Sequence, residues 1–250
     1  MCIGGVFVAI KIVNLRKEYD DVVAVNNLNL EIKEGELFSL LGINGAGKTT
    51  LIKMLATLTK PTSGDAFVYE NSILTESDKV KELIDISMQE TAIARKLTVD
   101  ENIEFYARLN GQTELEILES KKKLYTIFGL AQVKNKMAYK LSGGWQRKLS
   151  IALALVTKPK VLFLDEPTLG LDVIARRELW KTIKELKNKM TIILTTHYME
   201  EAEELSDRIG IMKDGELLFI GDKNQLYEIT NKTNVEEAFI HIVSGGELDE

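Results

Sequence analysis

The chain has 250 residues, of which 45% are hydrophobic and 28% are charged, and its formal net charge is −6. This composition is typical of a folded globular protein, and the length suits one large α/β domain or two small ones. The negative balance predicts no general attraction for nucleic acid. The single cysteine, Cys2, excludes a disulfide within the chain, and no apolar run approaches the roughly 18 residues of a membrane span.

The N-terminal part of the chain predicts strands, then a loop and a helix. Val8–Val13 and Leu28–Ile32 alternate apolar and polar residues, as strands of a half-exposed antiparallel sheet do. Met1–Ile10 is apolar but lacks a basic start, so we interpret it as leading into a strand rather than as a signal peptide. Glu36–Leu41 runs into a glycine-rich turn, and Lys48–Leu58 carries apolar residues at helical spacing.

The turn between that strand and that helix matches the pattern G-x-x-x-x-G-K-[S/T] in full, over residues 42–49. Its glycines let successive N–H groups converge on an anion, and the following helix adds its positive end. Lys48 can reach the β- and γ-phosphates, and the Thr49 hydroxyl can coordinate Mg²⁺. We therefore predict that the chain binds a nucleoside triphosphate. The predicted contacts in this loop are Asn44, Gly45, Ala46, Gly47, Lys48, Thr49 and Thr50.

The middle of the chain predicts a helical insertion between strands. Ala66–Tyr69 and Ile84–Met88 are predicted strands. From Val99 to Lys140 the apolar residues recur at helical spacing, which predicts an inserted helical subdomain over about residues 92–158.

Beyond this insertion the pattern returns to strands. Val161–Leu164 and Thr191–Leu194 are nearly continuous apolar runs, typical of central parallel strands that are covered on both faces. The amphipathic segment Val173–Lys189 lies between them and completes a βαβ unit. Asp214-Gly215 separates two apolar segments and predicts a tight hairpin. The whole pattern predicts a mixed α/β core.

Two acidic residues follow the first of these apolar strands. The strand delivers Asp165 to its carboxyl end, where ligands gather in open α/β sheets. Asp165 would hold Mg²⁺ opposite Thr49. Glu166 follows immediately and is placed to orient or deprotonate an attacking water molecule.

A second helix N-terminus is opened by glycines at Leu141-Ser142-Gly143-Gly144. Such an end is a candidate anion site, but it lacks the lysine of the first loop. It therefore predicts half of a site, which meets a phosphate held elsewhere. The alternative is a plain helix cap formed by Ser142.

The motif Leu141-Ser142-Gly143-Gly144, followed by the strand that ends in Asp165-Glu166, resembles the signature of ABC ATPases. Further residues agree with that family in order along nearly the whole chain. Gln89 matches the Q-loop glutamine, Asp172 the D-loop aspartate, and His197 the switch histidine that contacts the γ-phosphate. Tyr19 matches the aromatic residue that stacks on adenine, and Val25 follows it among the expected ATP contacts.

The resemblance implies one ABC-type ATPase domain over residues 1–250. Its expected fold is a P-loop NTPase (RecA-like) core with an N-terminal antiparallel β-subdomain and the inserted helical subdomain. ATP and Mg²⁺ are the expected cofactors. The implied catalytic residues are Glu166, His197, Lys48 and Gln89, and the implied metal ligands are Thr49, Gln89 and Asp165.

The resemblance also implies partners. Two such subunits, in a homodimer or a heterodimer, would sandwich ATP between the phosphate loop of one and Ser142 and Gly144 of the other. The dimer would power a multispanning permease at the cytoplasmic face of the membrane, which docks near Gln89. No nucleic acid partner is expected.

One position departs from the family pattern, because Trp145 stands where a glutamine is usual and Gln146 follows it. This substitution, with the segment Thr196–Ala202, resembles the drug-export and sodium-export ATPases of prokaryotes and implies an exporter. Two alternatives stay open. One is a non-transport ATPase of the same fold that acts in assembly or repair, and the other is a nucleotide-binding scaffold without turnover.

Overall fold

The computed structural model describes residues 2–3, 6–187 and 189–246, which form two β-sheets and a set of surrounding helices. The strands within these ranges are β1 (Cys2–Ile3), β2 (Val6–Tyr19), β3 (Val22–Lys33), β4 (Leu37–Leu41), β5 (Ser63–Val68), β6 (Asn71–Ser72), β7 (Ile84–Ser87), β8 (Val161–Asp165), β9 (Thr191–Thr196), β10 (Arg208–Lys213) and β11 (Glu216–Gly221). The α-helices are α1 (Lys48–Leu55), α2 (Ser77–Leu83), α3 (Val99–Leu109), α4 (Glu114–Phe128), α5 (Gly143–Ala154), α6 (Val173–Leu186), α7 (Met199–Leu205), α8 (Lys223–Thr230) and α9 (Val235–Ser244).

The N-terminal sheet is antiparallel and is organised around the long strand β2, which pairs with β1, β3 and β5. The β2–β3 hairpin places Tyr19 opposite Val22 at its tip. Its register shifts along the hairpin, and Asn14 and Asn27 adopt left-handed backbone conformations with φ of 47° and 46°. Asparagine tolerates this conformation, so the two residues interrupt the alternation without ending the strands.

The central sheet has the order β11-β10-β4-β9-β8-β7. The five strands β10, β4, β9, β8 and β7 are parallel to one another, and β11 pairs antiparallel with β10. Every residue of β4, β8 and β9 is buried, which explains why these strands are almost continuously apolar. Because parallel strands end at the same edge, the segments that follow β4, β7, β8 and β9 meet there.

The helical insertion packs onto one face of this sheet. Helices α3 and α4 begin with capping boxes, in which Thr98 and Thr113 are the N-cap residues. Two short 3₁₀-helices, Leu130–Val133 and Ala138–Lys140, lead to α5. Phe128 of α4 belongs to the same hydrophobic core as Leu164 of β8. The insertion is therefore anchored to the sheet by a shared core.

The predicted mixed α/β architecture, with an antiparallel N-terminal sheet and inserted helices, is confirmed. The predicted helix Lys48–Leu58 is shorter than expected, because α1 ends at Leu55 and Thr57 turns to a φ of 59°. Helix α6 likewise ends at Leu186 rather than at Lys189. The N-terminal prediction lies partly outside the described residues, since Met1, Gly4 and Gly5 are not among them. The boundaries of the helical subdomain, about 92–158, stay a prediction.

No helix in the described ranges combines the length and the apolarity that crossing a bilayer requires.

Candidate nucleotide site

A cavity of about 540 Å³ opens at the edge of the central sheet where the parallel strands end. It is lined by Val22, Val23, Ala24, Asn44, Gly45, Ala46, Gly47, Lys48, Thr49, Thr50, Gln89, Glu166, Leu169, His197 and Asp214. All seven predicted contacts of the glycine-rich loop belong to this lining. The topology also brings in Gln89 after β7, Glu166 after β8 and His197 after β9.

Lys48 lies at the centre of the cavity wall and is buried, with 6% of its side chain exposed. Its Nζ donates hydrogen bonds to the main-chain oxygens of Gly42 at 2.7 Å and Ile43 at 3.1 Å. Its Nζ also lies 3.5 Å from Oε1 of Glu166. Burial lowers the pKa of the Lys48 ammonium, and the Glu166 carboxylate partly offsets this effect. The loop therefore holds the lysine ready to meet phosphate oxygens.

Thr49 and Asp165 form a pair of oxygen ligands beside this lysine. Oγ1 of Thr49 lies 3.1 Å from both carboxylate oxygens of Asp165. Asp165 is also fixed by Thr195, whose hydroxyl donates to Oδ1 at 2.6 Å. Mg²⁺ in nucleotide sites takes one or two protein oxygens and completes its shell with phosphates and water. A hydroxyl and a carboxylate at the cavity edge fit that requirement, so these residues could hold Mg²⁺.

Glu166 and His197 face each other across the same cavity. Nδ1 of His197 lies 2.8 Å from Oε2 of Glu166. Glu166 has a left-handed backbone with φ of 46°, a conformation that costs an ordinary residue about 1–2 kcal/mol. Thr195 holds it there, because its main-chain oxygen and its hydroxyl both accept from the Glu166 N–H, at 3.2 and 3.1 Å. The turn thus aims the carboxylate into the cavity.

The two predicted ATP contacts that precede the glycine-rich loop, Tyr19 and Val25, are not among the residues that line the cavity. Tyr19 is 43% exposed at the hairpin tip, with Nζ of Lys17 4.7 Å from its ring centroid, and it is not part of the cavity lining. Val25 is fully buried in the core, so its side chain offers no surface to a ligand. The preceding residue along the strand, Ala24, lines the cavity, and an ATP contact by Val25 stays a prediction.

Several residues at the site were not predicted from the sequence. Val22, Val23 and Asp214 line the cavity, and Thr195 fixes both acidic residues. Thr195 could have been found from its place at the end of an apolar strand, two residues before His197. Asp214 had been interpreted only as part of a hairpin turn.

The predicted signature residues lie outside this cavity. Ser142 is the N-cap of α5, where it is exposed and makes no side-chain capping hydrogen bond. Gly143 is exposed as well, whereas Leu141 is buried. Asp172 caps α6, and its carboxylate accepts from the N–H of Ala175 at 2.9 Å. Within one chain, the helix end at Ser142 therefore has no nucleotide phosphate to meet.

The family model described as ABC transporter matches residues 25–169, more than half of the chain. The chain belongs to the ABC transporter family. The human phospholipid-transporting ATPase ABCA3 is 43% identical over 216 residues, which cover 85% of this chain and 13% of that protein. The curated relatives are much longer, and the chain spans between 13% and 28% of the lengths of the eight ABC transporter relatives considered.

Solved structures of ABC transporter components share the fold. CbiO1 from Clostridium perfringens, part of the transporter complex CbiONQ, superposes with a TM-score of 0.82 and 30% identity, covering 89% of this chain and 91% of that chain. The ATP-binding cassette MJ0796, solved as a dimer in a post-hydrolysis state with ADP and Pi, has a TM-score of 0.76 and 27% identity, covering 85% and 98%. These comparisons confirm the predicted P-loop NTPase fold. As an ABC ATPase domain, the chain uses ATP and Mg²⁺.

Proposed function

We propose that this chain is the ATP-hydrolysing subunit of an ABC membrane transporter. Two such subunits close on ATP and reopen after hydrolysis, and the movement drives a multispanning permease at the cytoplasmic face of the membrane. The transport is export, an assignment that rests on the resemblance of Trp145 and the segment Thr196–Ala202 to export ATPases. The observation that carries the proposal is the convergence of Lys48, Glu166 and His197 in one cavity.

The chemistry follows from these side chains. Lys48 neutralises charge on the β- and γ-phosphates, and Thr49 and Asp165 would hold Mg²⁺, which would polarise the same phosphates. Glu166 accepts a proton from the attacking water or orients it, and His197 holds the Glu166 carboxylate and contacts the γ-phosphate. Gln89, which lines the same cavity, would contact the Mg²⁺ and its water. The short contact between His197 and Glu166 supports these roles, since each residue restrains the other.

The dimer is supported by the position of Ser142. The Ser142 hydroxyl makes no capping hydrogen bond to α5. This end of the helix is exposed to solvent and lies outside the cavity of its own chain. A phosphate bound to a second subunit would satisfy this helix end. The dimeric state of MJ0796 with ADP and Pi supports the same arrangement. Tyr19 is assigned to the adenine of the bound ATP, beside Val22 at the hairpin tip.

A soluble ATPase of the same fold, acting in assembly or repair, is the rival function. The two are separated by purification from membranes in mild detergent. Recovery of the chain in a stable complex with a multispanning protein supports transport. Recovery only as a free ATPase, with turnover indifferent to such a complex, supports the rival.

The catalytic assignment is tested by Glu166→Gln. The amide keeps the shape of the side chain but removes the base, so we expect hydrolysis to slow on the order of 10²-fold or more. ATP binding should persist, and the variant should form an ATP-dependent dimer on gel filtration with light scattering. Phosphate release at the wild-type rate would refute the role of Glu166, and absence of turnover in the wild type would favour a scaffold.

A further inference from the structure

A buried arginine, Arg147, lies in the second turn of α5, one turn after Ser142. Only 4% of its surface is exposed. Its guanidinium donates to the main-chain oxygens of Asp165 and Pro167, each at 2.8 Å. On its other side it donates to the main-chain oxygens of Met88 and Gln89, the second at 3.4 Å.

These four carbonyls belong to the two loops that enter the nucleotide cavity from neighbouring strands. Asp165 and Pro167 stand on either side of Glu166, and Gln89 is the residue that follows β7 into the cavity. One side chain therefore joins three elements: the helix that begins at Ser142, the turn that carries Glu166, and the loop that carries Gln89.

The Arg147 guanidinium keeps its positive charge in this buried position. Burial lowers the pKa of Arg147 to about 10, while the charges of Asp165, Glu201 and Glu166 oppose the shift. The guanidinium thus stays protonated at neutral pH. Its planar fork carries donors on three separate nitrogens and so reaches carbonyls of two different loops, whereas the donors of a lysine all stem from one nitrogen.

We propose that Arg147 is a positioning residue that ties the signature helix to the catalytic turn and to Gln89. When the Ser142 end of α5 engages a nucleotide on the opposite subunit, Arg147 passes that movement to Glu166 and Gln89 in its own site. Hydrolysis in one site is thereby linked to the docking of the helix end that completes the other. This inference rests on the proposed function.

The test compares Arg147→Gln and Arg147→Lys with a control on the same helix, Lys148→Met. Lys148 is also buried, but its Nζ bonds Glu178 at 2.7 Å and lies 4.7 Å from the Trp145 ring, away from the catalytic turn. Displacement of Glu166 should lower kcat on the order of 10²-fold in Arg147→Gln, with a smaller loss in Arg147→Lys. KM for ATP should change less than about 3-fold in both, because Lys48 and the loop are untouched. The control should keep kcat.

Dimerisation separates positioning from a purely structural role. The double variant Glu166→Gln, Arg147→Lys should still form the ATP-dependent dimer, since Ser142 and the phosphate loop are intact. Loss of that dimer, or wild-type kcat in Arg147→Lys and Arg147→Gln, would overturn the inference. If Arg147→Gln does not fold, the inference is tested with Arg147→Lys alone, by its kcat and by the ATP-dependent dimerisation of the double variant. A wild type and a Lys148→Met variant that both lack turnover would instead refute the proposed function.

Discussion

At the scale of single residues, the site is held together by contacts among the protein's own groups. Lys48 is held by two carbonyls of its own loop and by Glu166, and Glu166 is held by Thr195 and His197. Such contacts fix the side chains in advance, so that little reorganisation remains for the reaction itself. The proposed catalytic residues thus form a small network in which each member positions the next.

A second buried acid supports the segment behind His197 and gives a prediction on pH. Glu201 is fully buried, and its Oε1 accepts from Thr168 Oγ1 at 2.8 Å and from Trp180 Nε1 at 2.9 Å. Burial raises the pKa of this carboxyl. The folded chain then keeps a proton that the unfolded chain releases, so the contribution of Glu201 to stability falls as pH rises above about 4.3, the ordinary carboxyl value.

Glu201→Gln should remove this dependence. The amide oxygen keeps both hydrogen bonds, and any cost of burying its NH₂ group is independent of pH. The free energy of unfolding of the variant, minus that of the wild type, should therefore increase as pH rises from 4.5 to 8 in urea titrations. Glu200→Gln, on the exposed side of the same helix, serves as the control and should change stability by less than about 1 kcal/mol. A difference that is flat or falls with pH would contradict the assignment.

At the scale of elements, the glycine-rich loop is clamped between the two sheets. The N–H of Gly215, in the β10–β11 turn, donates to the main-chain oxygen of Ala46 at 3.1 Å, and its own oxygen accepts from Asn26 at 2.8 Å. A side chain at Gly47, whose φ is 103°, would place Cβ 2.1 Å from the oxygen of Ala24. The loop therefore needs a glycine here for close packing as well as for its backbone angle.

Gly45 provides a matched comparison. Its φ is 87°, but a Cβ there would meet nothing within 4 Å. Gly45→Ala should lose about 1–2 kcal/mol from backbone strain alone. Gly47→Ala should lose more than about 3 kcal/mol, because the clash with Ala24 adds to the strain. Thermal or urea unfolding measures both, and equal losses would show that the loop is not clamped against β3.

The elements also show what the sequence could predict. The buried strands β8 and β9 and the phosphate loop were predictable, because continuous apolar runs and closely spaced glycines have few other uses. The full length of the β2–β3 hairpin was not, since Asn14 and Asn27 interrupt its alternation while the hydrogen-bonded pairing continues. Helices α2 and α8 were missed as well, and each has only seven or eight residues, too few for a clear periodic pattern.

The residues of the candidate site likewise fall into those that the sequence predicted and those that it did not. The residues that enter the cavity in sequence motifs, such as Lys48 and Glu166, were predicted. Ala24 and Asp214 were not, because their place in the cavity depends on how the N-terminal sheet and the β10–β11 hairpin pack onto the core. Sequence spacing carries no information about contacts of that kind. Val25 is buried in the core beside Ala24, since one step along a strand reverses the face.

At the scale of the whole molecule, the chain carries the two proposed halves of a site on different surfaces. The phosphate loop with Lys48 lines the cavity, and the helix end at Ser142 is exposed elsewhere. In a closed, two-fold symmetric dimer of identical chains, the phosphate loop of each chain can meet the helix end of the other, so two complete sites form. Under the proposed function, hydrolysis is therefore a property of the pair rather than of either subunit.

The most direct measurement mixes two inactive variants. Lys48→Ala should lack turnover because its phosphate loop cannot hold the γ-phosphate, and Ser142→Glu because its helix end repels the phosphate of a partner. In a mixed dimer one site combines the intact loop of the second with the intact helix end of the first, so ATP hydrolysis should reappear well above the sum of the separate samples. Hydrolysis that stays at that sum, with mixed dimers present, would show that Ser142 does not complete the site of another subunit.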